Sequence, residues 1–282
     1  MVPLVEIPRA KWPELRDLFR NGWPDGAVPF CFLDTQIAYP NLDEFCKVKV
    51  YSPDGDMTNG FVAVYNPSNT VEAYEVMIQP LQSIEKIEGA LTDSKVIDWT
   101  RVLCVTSATP VVEECLRRRE KQLGIHGNTE GNKAFKHFLD ANSMPFELSS
   151  NPPDTYVAEL KPEHLHIIDE TWTFHSDRSY KFFESLLRNH LTYVLYSTKE
   201  DHPLAWVTIS WEGALTHLYC IEKHRRKGYA AYIIKCAVND QLKKGKHVLG
   251  YTLVKNVKAQ NLFDKLNFRR IGYDTWIDIS KE

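Results

Sequence analysis

The sequence predicts an α/β protein of the mixed-sheet α+β kind, and three observations carry that expectation. The stretch from Ala214 to Ala230 passes from an apolar run, Leu215 to Ile221, through a charged turn, Glu222 to Lys227, into a segment of helical period. There Ala230, Ile233, Ile234, Ala237, Val238 and Leu242 share one face. The second half of the chain alternates in the order strand, two helices, three strands, helix, strand, helix, strand. At 282 residues, 43% hydrophobic and 25% charged, the chain has the composition of a soluble globular protein of two ordinary domains or one large one.

The first half opens with a short amphipathic helix on Trp12, Leu15, Leu18 and Phe19, ended by Asn21-Gly22 and a turn at Trp23-Pro24-Asp25-Gly26. Val28 to Ala38 fits either a helix or a strand. Phe45 to Tyr51 alternates, with Lys47 and Lys49 outward and Val48 and Val50 inward, which suits an edge strand. Phe61 to Tyr65 completes a hairpin, and Val71 to Ile78 is a further strand. Leu81 to Leu91 reads as a helix, Arg101 to Thr106 as a strand, and Pro110 to Leu123 as a helix with proline at its first position. Arg117-Arg118-Arg119 reads as a solvated face near the C-terminus of that helix. Gly124 to Gly131 is a loop and Asn132 to Ala141 a short helix. No nucleophile, metal or phosphate signature stands out in this half.

Ser149-Ser150-Asn151-Pro152-Pro153-Asp154 is the best linker in the chain. It divides an N-terminal mixed α/β domain, 1-148, from a C-terminal domain, 155-282. The halves could share one α/β plan, although their residues do not align by eye.

In the second half, Thr155 to Leu160 is a strand and Pro162 to Trp172 a helix buried through Leu165, Ile168 and Trp172. Ser176 or Asp177 caps the next helix, whose apolar side carries Phe183, Leu186, Leu187 and His190. Strands follow at Thr192 to Ser197, Leu204 to Ser210, the central Ala214 run, His247 to Val254 and Arg270 to Ile279. A helix from Val257 precedes the last of them.

The turn into the helix at Gly228 is suited to an anion. The first N–H groups of a helix lack intrahelical partners, and the helix dipole makes that end partly positive. A phosphate there accepts several N–H bonds at once. Gly228 lets backbone approach a ligand, and Arg225, Arg226 and Lys227 supply positive charge at the rim.

Arg225-Arg226-Lys227-Gly228-Tyr229-Ala230 resembles the Arg/Gln-x-x-Gly-x-Gly/Ala signature of the GNAT superfamily of acyl-CoA-dependent N-acyltransferases. Asn256-Val-Lys-Ala259-Gln-Asn-Leu262-Phe263-Asp-Lys-Leu266-Asn267-Phe268 is similar to the same family's Asn-x-x-Ala-x-x-Leu-Tyr-x-x-Leu-Gly-Phe helix. The resemblance covers roughly the last 130 residues. It implies a C-terminal GNAT acyl-CoA N-acyltransferase fold, with acyl-CoA or acetyl-CoA as cosubstrate and no metal. The implied cofactor-binding set is Leu218, Tyr219, Cys220 and Ile221 through the strand backbone, the loop Arg225, Arg226, Lys227, Gly228, Tyr229 and Ala230, and Asn256 and Phe263. In that fold the central strand splays from its neighbour and the pantetheine arm lies in the gap. A narrower resemblance runs through Leu160-Lys-Pro-Glu-His-Leu-His-Ile-Ile-Asp-Glu-Thr-Trp172, Ser179, Phe183, Leu187 and Trp206. It is to the glycine N-acyltransferase family, which also has a mixed α/β N-terminal domain.

Two departures bear on the chemistry. The family's tyrosine, often the acid for the leaving thiolate, is Phe263 here, and phenylalanine donates no proton. The glutamate that resembles a catalytic base in the glycine N-acyltransferases falls on Ala214. Glu212 lies two residues earlier, on the same face if the strand extends that far. His217 lies on the opposite face unless a bulge changes the parity. Glu212 and His217 are therefore the candidate catalytic residues, and each competes with a structural role. Tyr219 and Tyr229 are further candidate acids. Cys220, in an apolar strand, reads as an inert thiol.

The expected acceptor is the amine of glycine or of another small amine or amino acid. The alternatives are a non-catalytic acyl-CoA-binding module and a general protein or peptide acetyltransferase. A net charge of −3 gives no nucleic-acid footprint, and no apolar run is long enough to span a membrane. Cys31, Cys46, Cys104, Cys115, Cys220 and Cys236 lack metal-ligand spacing and read as reduced and mostly buried. No presequence is legible, so the expected location is intracellular, cytoplasmic or mitochondrial. The residues leave oligomeric state, acyl length and amine identity open.

Overall fold

A computed structural model of the chain describes residues 2–67, 73–93, 95–148 and 150–281. Thus Val71 and Glu72, at the start of one expected strand, and Ser149 of the expected linker lie outside the described residues. The chain forms two compact units that interleave in sequence. Unit 1 holds Met1–Lys136, Thr252–Val257 and Arg270–Glu282; unit 2 holds His137–Tyr251 and Lys258–Arg269. The division into 1-148 and 155-282 stays a proposal about folding units.

Unit 1 begins with β1 (Leu4–Glu6), α1 (Trp12–Leu18) and α2 (Ala27–Ala38). The segment that fitted helix or strand is thus a helix, and it is buried nearly all round, from Ala27 to Leu33. Such a helix has no polar stripe to reveal its period. The strands β2 (Cys46–Pro53), β3 (Gly60–Pro67) and β4 (Ala73–Pro80) pair antiparallel in sequence. β5 (Val102–Ala108) joins β4 in parallel, after the crossover helix α3 (Glu85–Asp93).

The expected edge strand is β2, and here the structure differs: β1 pairs along it from Leu4↔Pro53 to Glu6↔Tyr51. Its alternation has another cause, since Val48 and Val50 are buried while Lys47 and Lys49 face solvent. Helix α4 (Pro110–Leu123) has the expected bounds and ends on Gly124 in the left-handed conformation. Arg118 and Arg119 both reach Glu88 of α3, at 2.9 Å and 2.8 Å, so two of the three arginines bind α3 to α4.

Two expectations fail next. The loop at Gly124 to Gly131 contains β6 (Ile125–Asn128), and the helix expected from Asn132 to Ala141 is the strand β7 (Lys133–Leu139). Phe135, Phe138 and Leu139 mimic helical spacing. Ala134 is buried and so are Lys136 to Leu139 without a break, so no polar alternation marks the strand; buried Lys136 pairs with Asp274 at 2.8 Å. The last strand, β13 (Arg269–Lys281), pairs antiparallel with β5 and β6.

Unit 2 runs β8 (Thr155–Ala158), α5 (Leu165–Glu170), α6 (Ser179–Arg188), β9 (Thr192–Ser197), β10 (Pro203–Ile209), β11 (Ala214–Cys220), α7 (Tyr229–Lys243), β12 (Val248–Leu253) and α8 (Val257–Lys265). Its strands lie in the order β12-β11-β10-β9-β8, with only β11·β12 parallel. α7 packs on β9, β10 and β11, burying Ile233, Ile234, Ala237 and Val238. Neither Ser176 nor Asp177 caps α6: its N-cap is Arg178, with no side-chain cap. His190 is not on the apolar side of α6 but beyond its end, exposed, with Nδ1 2.9 Å from Glu159.

The two units repeat one plan. Strand, two helices, three antiparallel strands, a helix, a parallel strand and a helix occur in unit 1 from β1 to α4 and in unit 2 from β8 to α8. The shared plan weighed from the sequence is therefore present in the backbone, although the residues do not align.

None of the six cysteines is in a disulfide. Cys31, Cys46 and Cys115 are buried, whereas Cys104, Cys220 and Cys236, expected inside, are half-buried. No helix among the described residues is long and apolar enough to cross a membrane.

Candidate functional site

The site in unit 2 starts from a defect in β11. Pairing with β10 runs Ile209↔Leu215 and Thr208↔Thr216, then resumes at Trp206↔Tyr219. Val207 therefore faces two residues, His217 and Leu218, which makes a β-bulge. His217 takes a left-handed φ of 48°, which turns its side chain out of the alternation. This is the bulge that the parity of His217 required.

On its other edge β11 pairs with β12 only at Ala214↔Leu249 and Leu215↔Gly250. From Thr216 onward that edge is unpaired, and the strand changes from buried to half-buried at the same residue. Unpaired backbone on a half-buried strand offers hydrogen bonds to an extended ligand, as in β-strand addition. Leu218, Tyr219 and Cys220 lie on this stretch and Ile221 just past it.

The chain then turns through Glu222–His224 to the start of α7. Arg225 is tied inward: its Nε donates to the Cys220 carbonyl at 3.1 Å, and its guanidinium lies 5.6 Å from the Tyr219 ring centre. Arg226 and Lys227 are exposed and have no ion-pair partner among the described residues. Arg226 and Gly228 adopt φ of 65° and 81°, and a Cβ placed on Gly228 would meet nothing within 4 Å. No side chain caps α7, its first turn holds no acidic residue, and Tyr229 and Ala230 occupy that turn half-buried. Basic side chains, open space and uncapped amides thus converge in one place.

Unit 1 supplies an internal comparison. Its corresponding strands β4 and β5 stay paired through five positions, Ala73↔Val102 to Met77↔Thr106. Its corresponding helix α3 carries Glu85 and Glu88 in the first turn. Paired backbone and negative charge are both unfavourable to a phosphate, so among the described residues the features that suit an anion lie together in unit 2.

His217 sits among Phe183, Trp206, Tyr219 and Trp172, with ring centres 5.2, 5.9, 6.1 and 6.3 Å away. Nε2 is 2.7 Å from the Ile168 carbonyl, which can only accept, so Nε2 carries the proton and Nδ1 the lone pair. Burial pushes the imidazole down to about 4, against the smaller opposing pulls of the Ile168 carbonyl and Asp169. Asp169 is itself buried and accepts from Ser179, with His175 Nδ1 3.4 Å away.

A folded value below the unfolded one means that the unfolded chain binds the extra proton first. His217 should therefore cost stability as pH falls from about 6.5 to 4, by about 3 kcal/mol. His217→Asn, which tolerates the positive φ, is expected to flatten urea-unfolding stability across that window. An unchanged pH slope would remove the case for a buried neutral imidazole.

Glu212 is not on β11. It is buried in the turn before it, where Gly213 N–H bonds the Ser210 carbonyl at 2.9 Å and Glu212 N–H lies 3.3 Å from Ser210 Oγ. The strand does not extend far enough to give Glu212 a strand face. Ala214, where the resemblance puts a glutamate, is buried as the first strand residue. Cys220 is a thiol pushed upward by burial, which matches an inert group.

Phe263 is buried with His137 and Phe268 at 4.7 and 4.9 Å, and its ring sits where a Cβ on Gly250 would be, 2.5 Å away. Asn256 is exposed just before α8. Sequence reasoning missed Trp172, Phe174 and Trp211 as candidate site residues. The available signal was two aromatic residues in the otherwise polar loop Thr171 to Arg178.

The FR47-like protein family matches residues 193–277. No curated protein matches the chain in sequence. A Drosophila protein of solved structure superposes with a TM-score of 0.83 at 14% identity, over 100% of this chain and 99% of that one. A tandem GNAT protein from the clavulanic acid biosynthesis pathway gives 0.61 at 12% identity, over 100% and 98%. A GCN5-related N-acetyltransferase from Sphaerobacter thermophilus gives 0.54 at 10%, over 83% and 80%. The bulged and splayed strand, the basic turn and these likenesses agree: the chain has the GNAT acetyltransferase fold.

Proposed function

We propose that the protein transfers an acyl group from a coenzyme A thioester to the amine of glycine or of another small amine or amino acid. One observation carries the reading: the β11 edge left unpaired from Thr216 runs directly into the uncapped amides of α7 beside Arg226 and Lys227. The pantetheine amides would pair with that edge and the pyrophosphate would meet the amides at Gly228. One acyl-CoA per chain is expected, since unit 1 has neither feature among its described residues.

In the reaction the amine nitrogen attacks the thioester carbon. A C–N bond forms, the C–S bond breaks, and the proton lost by the amine ends on the thiol of CoA. An aliphatic ammonium near pKa ~10 is neutral in about one part in a thousand at pH 7. An imidazole held near 4 cannot deprotonate it there; its lone pair can accept a hydrogen bond from the neutral amine or a bridging water. His217 is thus assigned to orienting the amine, and Glu212 is the remaining carboxylate candidate for the proton.

A second reading, an acyl-CoA-binding module without catalysis, draws support from Ala214 and Phe263 standing where the resemblance implies a base and an acid. Release of free CoA thiol from acyl-CoA with an amine panel separates the two. Turnover is expected to rise with pH above 7 and to drop about 100-fold in Glu212→Gln with His217→Ala. CoA binding with no release for any amine would favour the binding module, and full activity in the double variant would refute both residue roles. A peptide panel tests general protein acetylation.

A further inference from the structure

The loop between α5 and α6 displays rings that packing alone does not require. Phe174 is 55% exposed on a loop that is otherwise polar from Thr173 to Arg178, and its ring meets Trp172 edge-on at 5.7 Å. Trp172, half-buried, stacks on Phe182 at 5.4 Å and 24°. Phe182 in turn meets Trp211 edge-on at 5.0 Å, from the turn that leads into β11. The four rings form a continuous apolar track beside the imidazole of His217, which neighbours Trp172; Phe182 is buried beneath it, so the accessible face is that of Phe174, Trp172 and Trp211. Exposed apolar surface beside a polar reactive group is what a binding site presents to a ligand with an apolar body and a polar head.

Charge fixes which end of the ligand lies where. The track itself carries no charge, so it suits an uncharged body. At its inner end the buried Asp169 carboxylate lies beside the segment that holds His217, and the imidazole presents a lone pair. Both favour a donor or cation, as an amine is. Glycine has no body to cover the rings.

Resting on the acyltransferase reading, we propose that the acceptor is an amine bearing an aromatic or comparably bulky apolar group, seated on Phe174, Trp172 and Trp211 with its nitrogen at His217. Attack then follows the balance given above, releasing an N-aryl-alkyl amide and CoA thiol.

The test compares 2-phenylethylamine with glycine at one acyl-CoA. The expected kcat/KM ratio favours phenylethylamine by about 30-fold, and Phe174→Ala lowers that ratio about tenfold through KM while acyl-CoA affinity holds. Trp172→Ala should do the same, and exposed Phe174 guards against a folding artefact in that variant. A preference for glycine, or equal losses for both amines, overturns the proposal. So does a change confined to acyl-chain preference, which would make the track an acyl site. If no amine is turned over, calorimetric titration of phenylethylamine into the CoA-loaded protein decides separately: binding that Phe174→Ala weakens supports the site, and no binding refutes it.

Discussion

Arg226→Glu combined with Lys227→Glu is expected to weaken coenzyme A binding by about 100-fold or more in titration calorimetry and to leave thermal unfolding nearly unchanged. Both side chains are exposed, and neither has an ion-pair partner among the described residues, so folding loses little. Binding loses two charge-assisted bonds to phosphate, each about 1.5–3 kcal/mol, and gains repulsion. Even about 3 kcal/mol corresponds to roughly a hundredfold in affinity. The effect should shrink at high salt. Arg225→Glu is a useful contrast. Its guanidinium holds the Cys220 carbonyl and covers Tyr219, so its loss should disturb the turn as well as the ligand. If the double reversal leaves CoA affinity intact, the cradle at Gly228 is not where the pyrophosphate binds.

Trp206→Ala should be the most damaging single substitution near the site, at about 4 kcal/mol of stability. The indole is fully buried on β10, stacked on Tyr219 at 5.0 Å and 5.9 Å from His217. It fills the space beneath the bulge, so its removal leaves a cavity where the strand is already irregular. Acyl-CoA affinity should fall with stability, because the free edge of β11 depends on the bulge. Trp206→Phe is expected to cost only about 1 kcal/mol. The indole N–H is buried without an acceptor among the described residues, so no hydrogen bond is lost with it. Urea unfolding of both variants measures this. Equal losses for alanine and phenylalanine would show that the ring does not support the bulge.

Legibility varied with the range of the interaction. The turn from Ile221 to Ala230 could be read because its determinants are adjacent: an apolar run, a basic break, a glycine and a helical stripe. Asn132 to Ala141 reads as a helix because Phe135, Phe138 and Leu139 satisfy the helical spacing, while the buried partner of Lys136, Asp274, is far away in sequence. β2 has the pattern of an edge strand because its lysines alternate outward. The strand that covers it, β1, is only three residues long and leaves no periodic trace.

The sequence by itself determined the α/β class, most elements and the basic glycine turn, since these follow from the preferences of neighbouring residues. Only the tertiary structure decided where β11 leaves β12, that His217 lies in a bulge with its proton on Nε2, that Glu212 stops short of the strand, and that unit 1 repeats the plan with its strands closed. Each of these depends on register between segments distant in the chain. A one-residue slip in pairing reverses every side chain beyond it, and no local preference encodes that slip.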